Sequence, residues 1–242
     1  MANRLLPFRQ YDENDVINLF ANATSDTNPT TNGNGSAGVF VSVSAGNFSK
    51  DAITYVDRAE LGATYDHTKN QYPEVQLKVT AAAAGAKAGE VIGVTLKQTL
   101  EQDENGEKLL YNPVKRDEIQ AVLSGQAVPV ATRGVFTLTN DAVEGEFGGT
   151  ETAPTPGQAC VMSPANAGKV SGIAFDSLVG DYNADGGSFV PTGTNYDIGG
   201  GTLVYYTYAN VMGTWLGTGT RSSVGPVTDV AAGGYAVVKL NL

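Results

Sequence analysis

Cysteine, histidine and long apolar runs are scarce in this chain, and each shortage excludes a class of protein. Its 242 residues include one cysteine and one histidine. Cys160 alone cannot form a disulfide within the chain, and a zinc site needs about four nitrogen or sulfur ligands. No apolar run approaches the roughly 18 residues that a membrane-spanning helix needs. We therefore expect no metal, no cofactor and no membrane partner.

Charge is also scarce, and one sign dominates it. Only 17% of the residues are charged, and the net charge is −10. Because an acidic surface repels a phosphate backbone, we expect no nucleic acid partner.

Recognisable catalytic patterns are missing as well. A Ser-His-Asp arrangement would have to use His67, which lies in a polar, turn-like stretch, and no nucleophile elbow occurs. The segment Gly33–Gly38 matches the spacing G-x-G-x-x-G, but a predicted strand follows it where dinucleotide binding needs a helix. We therefore predict that the chain has no catalytic residues and is not an enzyme.

One loop resembles half of a calcium site. Asp181, Asn183, Asp185 and Gly186 match the first half of a calcium loop, but Thr192 stands where a bidentate acid is needed. Asn, Asp and Gly also favour ordinary surface turns. We interpret the segment as such a turn, and we expect calcium to be dispensable.

Glycine and strand-forming residues are plentiful. The 30 glycines and 10 prolines indicate many tight turns. Val39, Val41 and Val43 alternate with polar residues and Phe40, which is typical of a strand. Similar patterns recur along the chain and predict an all-β fold, either a barrel or a sandwich.

Local signals place turns between these predicted strands. Asn105-Gly106 favours a tight hairpin, and Arg133-Gly134 marks a bend between two short strands. Residues 113–125 hold the only fair helix candidate in the body, limited to two or three turns by Pro113 and Gly125. Ser124-Gly-Gln-Ala is echoed by Pro156-Gly-Gln-Ala, which predicts two similar turns that lead into strands.

We assign structural roles to the single cysteine and to a group of three tyrosines. Cys160 lies in the middle of a predicted strand, where we expect a small, buried apolar residue. Tyr206 and Tyr208 fall on one face of another predicted strand, and Tyr205 falls on the other. We interpret these tyrosines as structural or interface residues rather than as a ligand platform.

The composition divides the chain into three parts. Residues 1–22 form an apolar N-terminal arm, and residues 23–38 form an Asn/Thr/Gly-rich linker that we expect to be flexible. Residues 39–242 form the β-barrel or β-sandwich body, with long loops near 140–158 and 180–201.

The N-terminal arm is the candidate binding segment. It concentrates large apolar side chains and two arginines in one short stretch: Arg4, Leu5, Leu6, Phe8, Arg9, Tyr11, Val16, Ile17, Leu19 and Phe20. Two interpretations remain. The favoured one is a strap that is buried on neighbouring subunits, in which case deletion of residues 1–22 should leave a folded body. The alternative is that the arm folds back on the body as an edge strand or a short helix.

Five stretches carry a resemblance to a known family: LLPFRQYDENDVINLFA, YPEVQLKVT, LEQDENGEKLLYNP, GQAVPVATRGVFTLT and GGYAVVKLNL. They resemble head decoration, or cement, proteins of tailed double-stranded DNA phages, in particular marine and cyanophage-like ones. The resemblance implies a virion protein on the outer surface of the capsid. Its partner would be the major capsid protein, and it would form a homotrimer. A tail-tube or other virion structural subunit is the alternative, and a glycan-active enzyme on a β scaffold is less favoured.

Overall fold

A computed structural model describes residues 4–22, 35–47, 77–103, 105–139, 141–144, 154–175, 178, 196–197, 203–204, 206–220 and 234–242. Strands dominate these residues. In chain order they are β1 (Leu5–Gln10), β2 (Val16–Asn22), β3 (Phe40–Asn47), β4 (Leu77–Ala81), β5 (Gly93–Thr95), β6 (Gln98–Thr99), β7 (Ala121–Val122), β8 (Ala127–Ala131), β9 (Arg133–Thr139), β10 (Ala159–Met162), β11 (Val170–Ile173), β12 (Tyr196–Asp197), β13 (Leu203–Val204), β14 (Gly213–Thr220) and β15 (Gly234–Asn241). The described helices are α1 (Pro113–Glu118) and three 3-10 helices: Glu13–Asp15, Ala88–Glu90 and Tyr208–Asn210.

Two units account for most of these strands. An antiparallel sheet has the strand order β1-β9-β15-β14-β10-β11, and a closed barrel has the order β2-β4-β3-β5-β8. In the barrel only β2 and β4 run parallel to each other. The prediction of an all-β fold with a barrel is therefore confirmed.

The hydrophobic core joins the barrel to the sheet. The largest buried cluster includes Phe40 and Val94 from the barrel and Phe136 and Trp215 from the sheet. A second cluster, rich in valine, fills the barrel interior: Val39, Val41, Val79, Ala81, Val122, Val128 and Val130. Alternation along β3 explains both clusters, because Val39 and Val41 face the barrel interior while Phe40 packs against the other cluster.

The chain crosses between barrel and sheet at two neighbouring points. Thr132 separates β8 from β9, and its backbone N–H and side-chain hydroxyl donate to the carbonyl oxygen of Asp15 at 2.9 and 3.1 Å. Asp15 itself lies between β1 of the sheet and β2 of the barrel. The predicted bend at Arg133-Gly134 lies one residue earlier, because Thr132 separates the strands and both predicted residues already pair within β9. Gly134 has a φ of +135°, which L side chains rarely adopt.

The two Gly-Gln-Ala turns share one geometry. The N–H of Gln126 donates to the carbonyl of Leu123, and the side-chain oxygen of Gln126 accepts from the N–H of Leu123. Gln158 makes the same pair of hydrogen bonds with Thr155. The sequence echo therefore reflects the same local turn used twice, once before β8 and once before β10.

The predicted helix and the predicted hairpin turn are both present, but each is shorter than the sequence suggested. The expected helix is α1, six residues long, with Asn112 as its N-cap and Pro113 in its first turn. At Asn105-Gly106 the Asp103 carboxylate accepts hydrogen bonds from the N–H groups of Asn105 and Glu107 at 2.9 and 2.8 Å. The turn exists, but a single bridge between Gln102 and Lys108 replaces the expected hairpin strands.

The predicted separation of arm and body is wrong. β1 pairs with β9 in the sheet, and β2 pairs with β4 and β8 in the barrel. The physical reason is edge pairing: without β2 the barrel would expose two strand edges. The fold-back alternative is the one that the structure shows.

The linker prediction is corrected at its C-terminal end. Residues 35–38 pack against the body, where the N–H of Gly38 donates to the carbonyl of Thr95 and the carbonyl of Gly35 accepts from Thr99, both at 2.7 Å. Residues 23–34 lie outside the described residues, as do His67 and the half calcium loop 181–186 with Thr192. Parts of the predicted loops 140–158 and 180–201 lie outside them too.

The predicted tyrosine strand is also corrected. Tyr206 is fully buried and donates a hydrogen bond to the carbonyl of Met162, whereas Tyr208 is exposed. The two side chains do not share a face because the chain turns into the 3-10 helix Tyr208–Asn210 at this point.

Candidate functional site

The structure distributes the ten predicted binding residues over two strands, the turn between them and the residue before the first strand. Three are buried: Arg4, Leu5 and Leu6. Five are half-buried: Arg9, Tyr11, Val16, Ile17 and Phe20. Only Phe8 and Leu19 are exposed, at 78% and 61%, and they lie on β1 and β2 respectively. The ten residues therefore do not form one binding face, and most of them stabilise the fold.

A bulge in β1 is what exposes Phe8. Leu5 pairs with Leu138 and Arg9 pairs with Phe136, so four steps along β1 match two steps along β9. The extra residues push the segment around Phe8 out of the ladder. Pro7 lies in the same segment and has no N–H to donate to a further strand. β1 therefore presents side chains at the sheet edge.

A groove of about 430 Å³ runs beside the bulge. We call it the β1 groove. Residues of β1 form one wall, and the residues around Leu96 and the end of α1 form the other. Its lining residues are Leu5, Leu6, Pro7, Arg9, Ala37, Leu96, Gln98, Glu118, Ile119 and Gln120.

Arg9 is the cation of the β1 groove. Its guanidinium donates to the carbonyl of Leu96 at 3.4 Å and to the side-chain oxygen of Gln120 at 3.5 Å. It also lies over the ring of Tyr11, 6.0 Å from the centroid, and that ring stacks on Phe136. These contacts place the guanidinium at the groove, and both hydrogen bonds are long and therefore weak.

The opposite wall of the groove is fixed by the end of α1. Gln98 donates its side-chain N–H to the carbonyl of Ile119 at 2.8 Å, which satisfies a helix C-terminal acceptor. Gln120 follows with a φ of +52°, the left-handed conformation that usually takes glycine. Val114 is exposed and lies four residues before Glu118, so the two share a helix face, and Glu118 lines the groove.

Arg4 carries a buried charge. It is 5% exposed, and its Nε and Nη1 atoms have no hydrogen-bond partner among the described residues. Burial lowers the pKa of Arg4, and the nearby charge of Asp141 partly opposes that shift. Arg4 is one of the ten predicted binding residues, and this burial removes it from the surface that a partner could contact.

Cys160 is confirmed as a buried strand residue. It lies in β10, fully buried, and burial raises the pKa of its thiol above the ordinary range. A protonated, inaccessible thiol is neither a nucleophile nor a ready metal ligand. In the part of the chain that the structure describes, no group of three or more His, Cys, Asp or Glu side chains could hold a metal ion.

A second apolar surface lies at one end of the barrel. Val43 and Leu77 are 58% and 50% exposed, and both continue the inward-facing rows of β3 and β4. Phe20 packs partly against the valine cluster at the same end. The three described residues named here are all apolar.

Sequence reasoning identified Phe8 and Arg9 but missed the other wall of the groove. Leu96, Ile119 and Gln120 are about a hundred residues away along the chain, and no local pattern connects them to β1. Pro7 was the available signal, since proline in a predicted strand indicates an edge or a bulge.

The β1 groove and the bulge are the candidate contact surface among the described residues. Among those residues no helix is long and apolar enough to cross a membrane. No protein-family model, no curated protein and no solved structure matches this chain. The surface around β1 is therefore interpreted from its own geometry.

Proposed function

We propose that this chain is a structural virion protein, a capsid decoration protein that binds the outer face of the major capsid lattice. It binds as a homotrimer and stabilises the head. The contact surface is the bulged segment of β1 with the β1 groove beside it. In this proposal the N-terminal residues remain part of the folded body, and the exposed side chains of β1 make the contact with the capsid.

The exposure of Phe8 is the observation that supports the proposal most. A phenylalanine at 78% exposure on the bulged segment of a strand presents a large apolar area to water. Aromatic anchors beside an arginine are typical of the residues that dominate binding energy at interfaces. Here Arg9 follows Phe8 directly and is held in place by Tyr11.

Multivalency favours a small contact on each subunit. A stable pairwise interface buries about 1,200–2,000 Å² in total, which is more than the bulge alone can provide. Three copies held together would raise the effective concentration of the remaining contacts once the first has formed. A homotrimer with a modest β1 contact on each subunit could therefore bind a lattice tightly.

Separated particles provide the test of location. Heads and tails of the purified virion would be fractionated, and the chain would be measured in each fraction by quantitative mass spectrometry. We expect it with the heads, in a fixed ratio to the major capsid protein. Recovery with the tails would overturn the proposal in favour of a tail-tube subunit.

A matched pair of variants tests the surface. Phe8→Ala should weaken binding to heads that lack the protein, while Tyr208→Ala should bind as the original chain does. Both side chains are exposed aromatics, but Tyr208 lies in a 3-10 helix away from the β1 groove. Equal binding by all three proteins would remove the bulge from the proposed interface.

A further inference from the structure

The charge of Arg9 is not neutralised by the part of the chain described here. The acceptors of its guanidinium are the carbonyl of Leu96 and the amide oxygen of Gln120, and both are uncharged. At 3.4 and 3.5 Å they lie beyond the distances of well-formed hydrogen bonds. No ion pair joins Arg9 to a carboxylate of the described residues.

The surroundings of Arg9 are mostly apolar. Leu5, Leu6 and Leu96 are buried side chains that border the β1 groove, and Ile119 is half-buried on the far wall. A volume of about 430 Å³ accommodates a few side chains. An apolar side chain that entered it would remove further apolar surface from water.

Glu118 limits what can bind beside Arg9. Its exposed side chain lines the same groove, and it adds a negative charge opposite any anionic partner. A polyanion would therefore be repelled, whereas one carboxylate directed at Arg9 would be accepted. Pro7 and the bulge also disfavour the addition of a partner strand to β1.

We infer that the β1 groove binds a segment of the major capsid protein that carries one Asp or Glu next to an apolar side chain. The carboxylate pairs with Arg9, at the shorter distance of a charge-assisted hydrogen bond. The apolar side chain fills the space between Leu6, Leu96 and Ile119. This inference rests on the proposed function and adds the chemistry that the partner must supply.

Three charge variants test it on heads stripped of the protein. Arg9→Gln should weaken binding by about tenfold or more, because it leaves the partner's carboxylate without a cation. Glu118→Gln should strengthen binding, since it removes the opposing charge. Arg133→Gln makes the same charge change at an exposed position outside the groove and should alter affinity by less than about twofold.

The opposite directions of the first two effects separate recognition from folding damage. A variant that merely loosened the fold would weaken binding in both cases. If the original chain binds and neither Arg9→Gln nor Glu118→Gln changes its affinity, the inference fails and the proposed function stands. If the original chain does not bind stripped heads at all, both are overturned.

Discussion

Arg4 is a buried cation without a described partner for two of its guanidinium nitrogens. Burial is the larger influence on this charge and the nearby charge of Asp141 the smaller one, so an apolar side chain of similar shape should stabilise the fold. Arg4→Met retains most of the aliphatic stem, which packs beside Gly38. We expect it to raise the free energy of unfolding by about 1–3 kcal/mol in urea denaturation.

The control for Arg4 is Arg133→Met. Arg133 is exposed at the start of β9, so its replacement should change stability by less than about 0.5 kcal/mol. A loss of stability in Arg4→Met would show that the guanidinium makes a compensating bond, for example to ordered water.

Cys160 makes stability depend on pH. Burial raises the pKa of this thiol in the folded state, so the unfolded chain loses the proton first as the pH rises. Its contribution is fully present below the unfolded pKa of about 8.5 and decreases by about 1.4 kcal/mol for each pH unit above it. Urea denaturation in a reducing buffer between pH 8 and 10 should show this decrease.

Cys160→Ala is the matched variant for that decrease. Other groups titrate equally in both proteins, so the difference between their slopes isolates the thiol. Absolute stabilities will differ because alanine leaves a small cavity. Parallel slopes in the two proteins would mean that the thiol of the folded chain reaches solvent.

Strand β1 combines a structural and an exposed residue within four positions. Leu5 is 3% exposed in the main core cluster, whereas Phe8 protrudes from the bulge. Leu5→Ala should lower the free energy of unfolding by about 2–5 kcal/mol, and Phe8→Ala should change it by less than about 0.5 kcal/mol. Thermal and urea denaturation of both variants check this difference.

Deletion of residues 1–22 tests the structural role of β1 and β2 together. It removes the edge strand of the sheet and one of the five strands of the barrel. We expect insoluble or unfolded protein, contrary to the favoured strap interpretation of the sequence. A soluble product with strand-type circular dichroism would restore that interpretation.

Local elements were predictable because their signals are local. The turns at Gly125 and Gly157, the short helix and the alternation along β3 each depend on residues a few positions apart. The candidate site was only partly predictable, because the Arg9–Gln120 contact joins residues 111 positions apart. The strands with which β1 and β2 pair, β9 and β8, are likewise distant in the sequence. The apolar pattern of residues 5–20 alone fits a strap equally well.

The edges of the two units bear on how the molecule assembles. The barrel is closed, and Pro7 and the bulge interrupt β1 at one edge of the sheet. At the other edge, residues 142–144 pair with the first residue of β11: the N–H of Val170 donates to the carbonyl of Ala142, and the carbonyl of Val170 accepts from the N–H of Glu144. Contacts with a partner are therefore expected through side chains, as the β1 groove provides.

The barrel and the sheet share one core, and the chain passes from one to the other at Asp15 and again at Thr132. Neither unit can lose its packing without exposing apolar surface of the other, so they should unfold in one cooperative transition. Trp215 is the single tryptophan of the chain, and it is fully buried in the sheet. Its fluorescence therefore reports on the sheet and on the core that the sheet shares with the barrel.

Val130→Ala provides the test, because Val130 is fully buried in the valine cluster inside the barrel. We expect it to lower the free energy of unfolding by about 2 kcal/mol. The urea midpoints of Trp215 fluorescence and of far-ultraviolet circular dichroism should shift together, although the substitution lies in the other unit. Leu77→Ala, at a half-exposed position of the barrel, should shift both midpoints much less. A circular dichroism midpoint that moves while the Trp215 midpoint stays would show that the barrel unfolds by itself, and the shared core would then be too weak to couple the two units.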